Sequence, residues 1–223
     1  MGALNIRQLF HLVCALLYVG LCISDYFIAD PRFLPIPGQF FSKFVWLTLI
    51  DLYLQTIYHL VGVFANTSRT APKIFDLAGY CLVGPVGATV VILFWILYLF
   101  DPDTLLADDN AKAIIAITWF NHGIHTLPIV TSIAELILFK KEEPKTAKAL
   151  KIIGVFALLY VADIHYVHHI SGFWAYPILG FLSLPFRMLF IVVCLGVIFL
   201  NYKILSLIHN AVHGRVQTKK RVH

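Results

Sequence analysis

Charged residues are scarce in this chain, and their scarcity excludes an ordinary soluble domain. Of the 223 residues only 13% are charged, 60% are hydrophobic, and the mean hydropathy is +0.83. Too few polar side chains remain to cover a globular surface. The sequence also lacks internal repeats, low-complexity stretches and any segment with the composition of a separate soluble module. These absences predict a single membrane domain over residues 1–223.

Cysteine is also infrequent. The four cysteines all lie in apolar runs, and none has the C-x-x-C spacing: Cys14, Cys22, Cys81 and Cys194. This pattern suggests neither a disulfide framework nor a zinc knuckle, and it predicts buried, reduced thiols.

Long apolar runs are what the sequence does contain. A helical crossing of the bilayer core needs roughly 20 apolar residues, and six runs are long enough. They cover about 8–28, 44–64, 76–100, 112–138, 149–169 and 186–208. A helix satisfies its own backbone hydrogen bonds in lipid, whereas an open strand does not. We therefore predict an all-α polytopic membrane protein, a bundle of six transmembrane helices.

The basic residues predict the orientation of this bundle. With the N-terminus in the cytosol, the cytosolic side holds 12 lysines and arginines: Arg7, Arg69, Lys73, Lys140, Lys141, Lys145, Lys148, Lys151, Arg215, Lys219, Lys220 and Arg221. The opposite side holds only Arg32, Lys43, Lys112 and Arg187. The positive-inside rule thus places both termini in the cytosol. The basic tail fits this topology and anionic membrane lipid better than it fits nucleic acid.

Polar residues inside the second span follow a helical spacing. Thr48, Asp51, Gln55 and His59 are separated by 3, 4 and 4 residues, so they share one face, which we expect to point into the bundle.

Histidines inside the later spans are the most unusual feature. An ionisable side chain in the hydrocarbon region is costly unless it faces a partner or a cavity, so each is a functional-site candidate. The candidates and their polar neighbours are Asn121, His122 and His125 in the fourth span, and Asp163, His165, Tyr166, His168 and His169 in the fifth. From the topology we expect one polar cavity to gather Thr48, Asp51 and the His168–His169 pair, with His125 nearer mid-depth.

Three kinds of function fit these residues. The first is a hydrolase in which His125 takes the proton of Thr48, because a threonine hydroxyl is a weak nucleophile until a base activates it. An intramembrane threonine also commonly bonds its own helix or a neighbouring one, so spacing alone does not decide. The second is a metal-dependent lipid enzyme, since His122-x-x-His125 and His165-x-x-His168-His169 have ligand spacing. The third is a transporter or structural protein, in which the polar stripes serve packing or proton coupling.

Four strings in the sequence carry a resemblance that favours the first function. They are Trp46-Leu47-Thr48-Leu49-Ile50-Asp51, Phe94-Trp95-Ile96-Leu97-Tyr98 with Asp101, Asn121 through Thr126, and His168 through Pro177. In order, spacing and total length, the chain resembles the androgen-induced family of six-span membrane proteins.

The resemblance implies an enzyme that hydrolyses fatty acid esters of hydroxy fatty acids, with a lipid substrate drawn from the bilayer and no metal or cofactor. It implies that Thr48 is the nucleophile and His125 its base. Residues expected to orient His125, stabilise the oxyanion or contact substrate are Asp51, Asn121, His122, His168, His169 and Trp174. The endoplasmic reticulum or the cell membrane is the expected location. Lys219-Lys220-Arg221 resembles a dibasic retrieval signal for the endoplasmic reticulum, and it fits a solvated basic tail that sets the topology at least as well.

Overall fold

The computed structural model describes residues 5–28, 31–64, 71–106 and 108–214, and most of these residues are helical. Within these ranges the α-helices are α1 (Ile6–Ile28), α2 (Leu47–Phe64), α3 (Ala71–Ala78), α4 (Gly84–Phe100), α5 (Asp109–Ile115), α6 (Thr118–His125), α7 (Leu127–Leu138), α8 (Thr146–Ser171), α9 (Pro177–Phe181) and α10 (Leu184–His213). Short 3-10 helices cover Pro31–Phe33, Phe40–Val45 and Pro102–Thr104, and the described residues contain no strand. The all-helical prediction is confirmed.

Four of the described helical stretches are long and apolar enough to cross a membrane. They are Ile6–Ile28, Leu47–Phe64, Lys73–Phe100 and Leu184–His213. The predicted fifth span lies within α8, which has 26 residues. Among the charges used to predict the orientation, Arg69, Arg215, Lys219, Lys220 and Arg221 lie outside the described residues.

The predicted fourth span, 112–138, is not one helix, and this prediction is corrected. The segment is divided into α5, α6 and α7, with breaks after Ile115 and at Thr126. Pro128 explains the second break, because its ring nitrogen cannot donate to the carbonyl of Ile124 and its ring clashes with that carbonyl in a continuous helix.

The third span contains an irregular turn that also has a proline as its cause. Gly79–Val83 form a π-helical turn, in which the Gly84 N–H donates to the Gly79 carbonyl. Pro85, the next residue, has no N–H to continue the α-helical pattern. The neighbouring Gly87 allows a close approach, since a Cβ there would lie 2.7 Å from Gln55 Nε2 and 3.0 Å from Pro128 Cβ. α2 and α7 therefore pack tightly against α4.

Lipid-facing surfaces are visible on the long helices. On α10, Leu189, Val192, Val193, Leu200 and Leu207 are each more than half exposed. Exposed apolar side chains of this kind would be unfavourable in water but are stable in lipid. The opposite face of the same helix packs with α4, α7 and α8 around buried Tyr80, Ile153, Ile198 and Tyr202.

The polar face predicted for α2 does point inward. Asp51 and Gln55 are fully buried, and His59 is 1% exposed. Thr48, one turn before Asp51, is half-buried.

One end of this face joins a buried group that we call the Glu135 cluster: His11, Tyr58, His59, Glu135 and Lys141. All five are at most 5% exposed. Lys141 Nζ lies 2.6 Å from Glu135 Oε1, Tyr58 donates to the same oxygen at 2.7 Å, and the His11 and His59 Nδ1 atoms are 2.9 Å apart. The cluster ties α1, α2 and α7 to the segment that follows α7.

Candidate active site

Thr48 and His125 meet at the ends of two helices. Thr48 is the second residue of α2, and His125 is the last residue of α6. Their side chains approach with Thr48 Oγ1 3.3 Å from His125 Nε2. They are 77 residues apart in the sequence, so only the packing of α6 beside the start of α2 brings them together.

The other ring nitrogen of His125 has its own partner. Nδ1 lies 2.8 Å from Asn121 Oδ1, one helical turn earlier in α6. An amide oxygen can only accept, so Nδ1 carries the proton and donates it. The neutral ring then presents the lone pair of Nε2 to the Thr48 hydroxyl, which is the arrangement a general base requires.

Aromatic side chains of α4 hold the histidine in place. The Phe94 ring stacks on the imidazole with centroids 3.5 Å apart and planes within 8°. Trp95 Nε1 donates to the His125 carbonyl oxygen at 2.7 Å. That carbonyl sits at the Thr126 break, so the indole supplies a donor that the interrupted helix does not.

The start of α2 is fixed by two tyrosines. The Leu47 N–H donates to the hydroxyl oxygens of Tyr160 and Tyr176, at 3.1 Å each. Trp46 Nε1 donates to the carbonyl of Ala175 at 3.0 Å. The first turn of α2, which carries Thr48, is thus attached to α8 and to the segment before α9.

Thr48 opens onto a narrow apolar cavity of about 110 Å³. Its walls come from α2, α4, α8, α9 and α10, and they include Leu93, Phe94, Ile164, Ile191, Leu195 and Ile198. The hydroxyl- and thiol-bearing residues on these walls are Thr48, Thr89, Tyr160, Tyr176 and Cys194. A reactive hydroxyl beside an otherwise apolar space suits an ester whose chains are aliphatic.

Asp51 is near the pair but does not face the cavity. Its Oδ1 accepts from Gln55 Nε2 at 3.2 Å, and its Oδ2 has no partner among the described residues. Fully buried between α2 and α4, it lies one turn from Thr48 on the inward face. The expectation that Asp51 lines a polar cavity with Thr48 is therefore wrong.

His168, His169 and Trp174 lie outside the lining of the Thr48 cavity, so the single-cavity expectation also fails for the histidine pair. His168 stacks on Trp174 with centroids 3.7 Å apart, and His169 is exposed. The Arg187 guanidinium lies 4.3 Å from the centroid of the Trp174 ring. None of these side chains lines the cavity of Thr48. Trp174 packs in the same apolar cluster as Tyr176.

His122 also faces away from Thr48. Its Nδ1 pairs with Thr126 Oγ1 at 3.0 Å, and its ring is exposed in an open groove between α1 and α6–α7. His122 and His125 therefore do not converge, and both nitrogens of His125 already have partners. Within the described residues no three His, Cys, Asp or Glu side chains are grouped as metal ligands.

Spacing did not single out four of the residues that shape this site: Phe94, Trp95, Tyr160 and Tyr176. The signal for three of them was the family resemblance of the strings around Phe94-Trp95 and before Pro177. Tyr160 stands in an unremarkable apolar run, and only the fold shows that its hydroxyl reaches α2.

Comparison with known proteins places this chain in a family. The family model described as FAR-17a/AIG1-like protein matches residues 6–210. Androgen-induced gene 1 protein of Homo sapiens is 28% identical over 164 residues, which cover 65% of this chain and 67% of that protein. Androgen-dependent TFPI-regulating protein of Homo sapiens is 29% identical over 152 residues, covering 64% and 65% respectively. The match thus spans about two thirds of these relatives.

A more distant relative is a UPF0641 membrane protein of Schizosaccharomyces pombe, 25% identical over 171 residues and 75% of each chain. No solved structure matches the chain.

Proposed function

Because this chain belongs to the FAR-17a/AIG1-like family of membrane proteins, we propose that it is an intramembrane hydrolase of fatty acid esters of hydroxy fatty acids. The observation that carries the proposal is the Thr48–His125 pair at the edge of an apolar cavity. The substrate class is the one implied by the sequence strings around Thr48, His125 and Tyr176.

The chemistry follows from the two hydrogen bonds of His125. Nε2 takes the Thr48 proton as Oγ1 attacks the ester carbonyl, and a tetrahedral oxyanion forms. Collapse breaks the bond to the alkoxy oxygen, which leaves as hydroxy fatty acid with the proton returned by His125. The other product of this step is an acyl ester of Thr48.

Water completes the cycle by attacking the acyl-threonine, with His125 again as the base. His125 takes a proton from water as its oxygen attacks the acyl-Thr48 carbonyl. The second tetrahedral intermediate releases the fatty acid and returns the proton to Thr48 Oγ1. Throughout, the hydrogen bond from Nδ1 to Asn121 holds the ring in the orientation and tautomer that both steps need.

The membrane setting completes the proposal. We place six crossings in the chain, with α5–α7 together forming the fourth and both termini in the cytosol, as the distribution of basic residues predicts. A substrate with two long chains partitions into the bilayer, so it reaches the cavity laterally between helices. The endoplasmic reticulum or the cell membrane is the proposed location.

The test is covalent labelling with a fluorophosphonate in detergent micelles, followed by mass-spectrometric mapping of the adduct. Attack by Oγ1 on phosphorus with loss of fluoride should leave an adduct on Thr48, and His125→Ala should abolish it. Thr56→Ala is the matched control, because Thr56 is a buried threonine of α2 that bonds Leu52 and Cys22 instead of a histidine. It should label normally.

Hydrolysis is measured in parallel as fatty acid released from a fatty acid ester of a hydroxy fatty acid. Thr48→Ala should eliminate release while the protein stays folded and membrane-inserted. Normal release by Thr48→Ala, or an adduct mapped to another residue, would overturn the Thr–His mechanism.

A further inference from the structure

The hydroxyls around the cavity differ in where their protons go. Thr89 donates to the Pro85 carbonyl at 2.7 Å, and Tyr160 donates to the Val45 carbonyl at 3.0 Å. The Thr48 proton faces His125 Nε2. These three protons are committed to acceptors in the protein.

Tyr176 is different, because its oxygen is used as an acceptor. It accepts the Leu47 N–H at 3.1 Å, and it lies 3.5 Å from the Tyr160 hydroxyl, whose single proton is directed at the nearer Val45 carbonyl with the Tyr176 oxygen as a second, longer acceptor. No residue in the described ranges accepts the proton of Tyr176. A phenol that lines the cavity with an uncommitted proton is a hydrogen-bond donor for whatever occupies that cavity.

The position of this donor is set by the same contact. The Tyr176 oxygen is held on the backbone nitrogen of Leu47, the residue directly before Thr48. The Ala175 carbonyl is in turn anchored by Trp46 Nε1. Donor and nucleophile are therefore attached to the same turn of α2, and both line the same cavity.

We propose that the Tyr176 hydroxyl is a catalytic residue that donates a hydrogen bond to the substrate carbonyl oxygen and to the oxyanion formed when Thr48 attacks. This inference rests on the proposed function and adds the electrophilic component that the Thr–His pair lacks. Tyr160 acts as a positioning residue, since it shares the Leu47 N–H and contacts Tyr176.

The first test compares Tyr176→Phe with Tyr160→Phe, two changes that each remove one hydroxyl from the same three-centre contact. Loss of one oxyanion donor typically lowers kcat by about 10²–10³-fold. We expect a fall of about 100-fold in kcat for Tyr176→Phe with KM within about twofold, and at most about fivefold in kcat for Tyr160→Phe. Unchanged kcat in Tyr176→Phe overturns the proposal, and so does an equal loss in both variants, because that result assigns the effect to the Leu47 contact.

A second measurement keeps the hydroxyl and changes only its strength as a donor. Fluorinated tyrosines placed at position 176 make the phenol more acidic with little change in size. We expect kcat to vary systematically across this series while the melting temperature in micelles stays constant. A flat series overturns the donor role, whether or not Tyr176→Phe folds.

The failure of this inference is distinguishable from failure of the proposed function. A wild-type protein that neither hydrolyses the ester nor labels at Thr48 contradicts the hydrolase itself. A wild-type protein that does both, with normal turnover by Tyr176→Phe, contradicts only the role of Tyr176.

Discussion

The buried histidines of this protein have two different kinds of partner. His125 is 4% exposed and has a hydroxyl on one nitrogen and an amide oxygen on the other, and that hydroxyl, of Thr48, lines an apolar cavity. His11 and His59 are at least as buried, but they bond each other within the Glu135 cluster, next to a lysine–glutamate ion pair. A Cβ on Gly62 would lie 2.5 Å from the His11 ring, so no room for a ligand exists on that side.

The difference shows that burial of a histidine in a membrane helix does not by itself mark a site. Both groups satisfy the rule that ionisable residues in lipid face a partner or a cavity. The Glu135 cluster meets it through partners alone, which fits a structural role. His125 meets it with partners that include a nucleophile candidate, Thr48, which lines an open space, and this fits chemistry.

The largest expected effect is on stability. In Glu135→Ala, Lys141 loses its counter-charge while remaining buried, so the free energy of unfolding should fall by about 3–5 kcal/mol. The turnover of the molecules that remain folded should not change. Denaturant titration in micelles measures the first quantity and ester hydrolysis per folded molecule the second.

Asp103→Asn is the control for this change, because it breaks the exposed pair between Asp103 and Lys112. Exposed pairs contribute little to stability, so no measurable shift is expected. Lost turnover with normal stability in Glu135→Ala would contradict a purely structural role and assign chemistry to the Glu135 cluster.

The next effect concerns the tautomer of His125. Asn121→Leu keeps the approximate size of the side chain but removes the acceptor for Nδ1–H, so the ring loses its orientation. We expect kcat to fall about 100-fold, equivalent to about 2.7 kcal/mol of transition-state stabilisation. Asn210→Leu, which removes an amide that bonds Glu143 and Ser206 instead, is the control and should leave kcat unchanged. Equal kcat in the two variants would argue against a base oriented by Asn121.

A smaller effect tests the open space beside Thr48. Cys194→Phe places a ring in the cavity wall, which should shorten the acyl chain that fits. We expect the rate for a 16-carbon acyl ester to fall about tenfold relative to a 4-carbon ester, about 1.4 kcal/mol of selectivity. Val193→Phe, on the exposed face of the same helix, should show no such preference. Identical chain-length profiles would show that the acyl chain lies elsewhere.

The smallest expected effect belongs to His122. Its ring faces the groove beside α1, so His122→Asn should change kcat by no more than about twofold, and chelators should have no effect on turnover. A metal ligand would behave differently, because losing one of few ligands removes the metal or its activity. A large loss in His122→Asn, together with inhibition by chelators and rescue by added metal, would restore the metal interpretation of the His122-x-x-His125 string.

Periodicity predicted the local structure well and the long-range contacts poorly. The spacing of Asp51, Gln55 and His59 correctly gave the buried face of α2, because helical geometry alone decides which residues share a face. The break at Thr126 was missed, although Pro128 signalled it, because the apolar run continues across the proline.

The site itself was beyond what spacing could give. The pairing of Thr48 with His125 was implied by the family resemblance, while periodicity offered it only as one of several alternatives. The grouping of His168 and His169 with Thr48 was wrong because depth in the membrane fixes only one of three coordinates. Tyr160 and Tyr176 reach α2 through tertiary packing, which no local pattern encodes.

The positions of Thr48 and His125 at helix ends have an electrostatic consequence. The N-terminal end of a helix carries a partial positive charge and the C-terminal end a partial negative one. Thr48 lies in the first turn of α2 and His125 closes α6. When the proton moves between them, negative charge grows at the positive end of one helix and positive charge at the negative end of the other. Hydrocarbon solvates neither charge, so the dipoles of α2 and α6 stabilise the two charges as water would in solution.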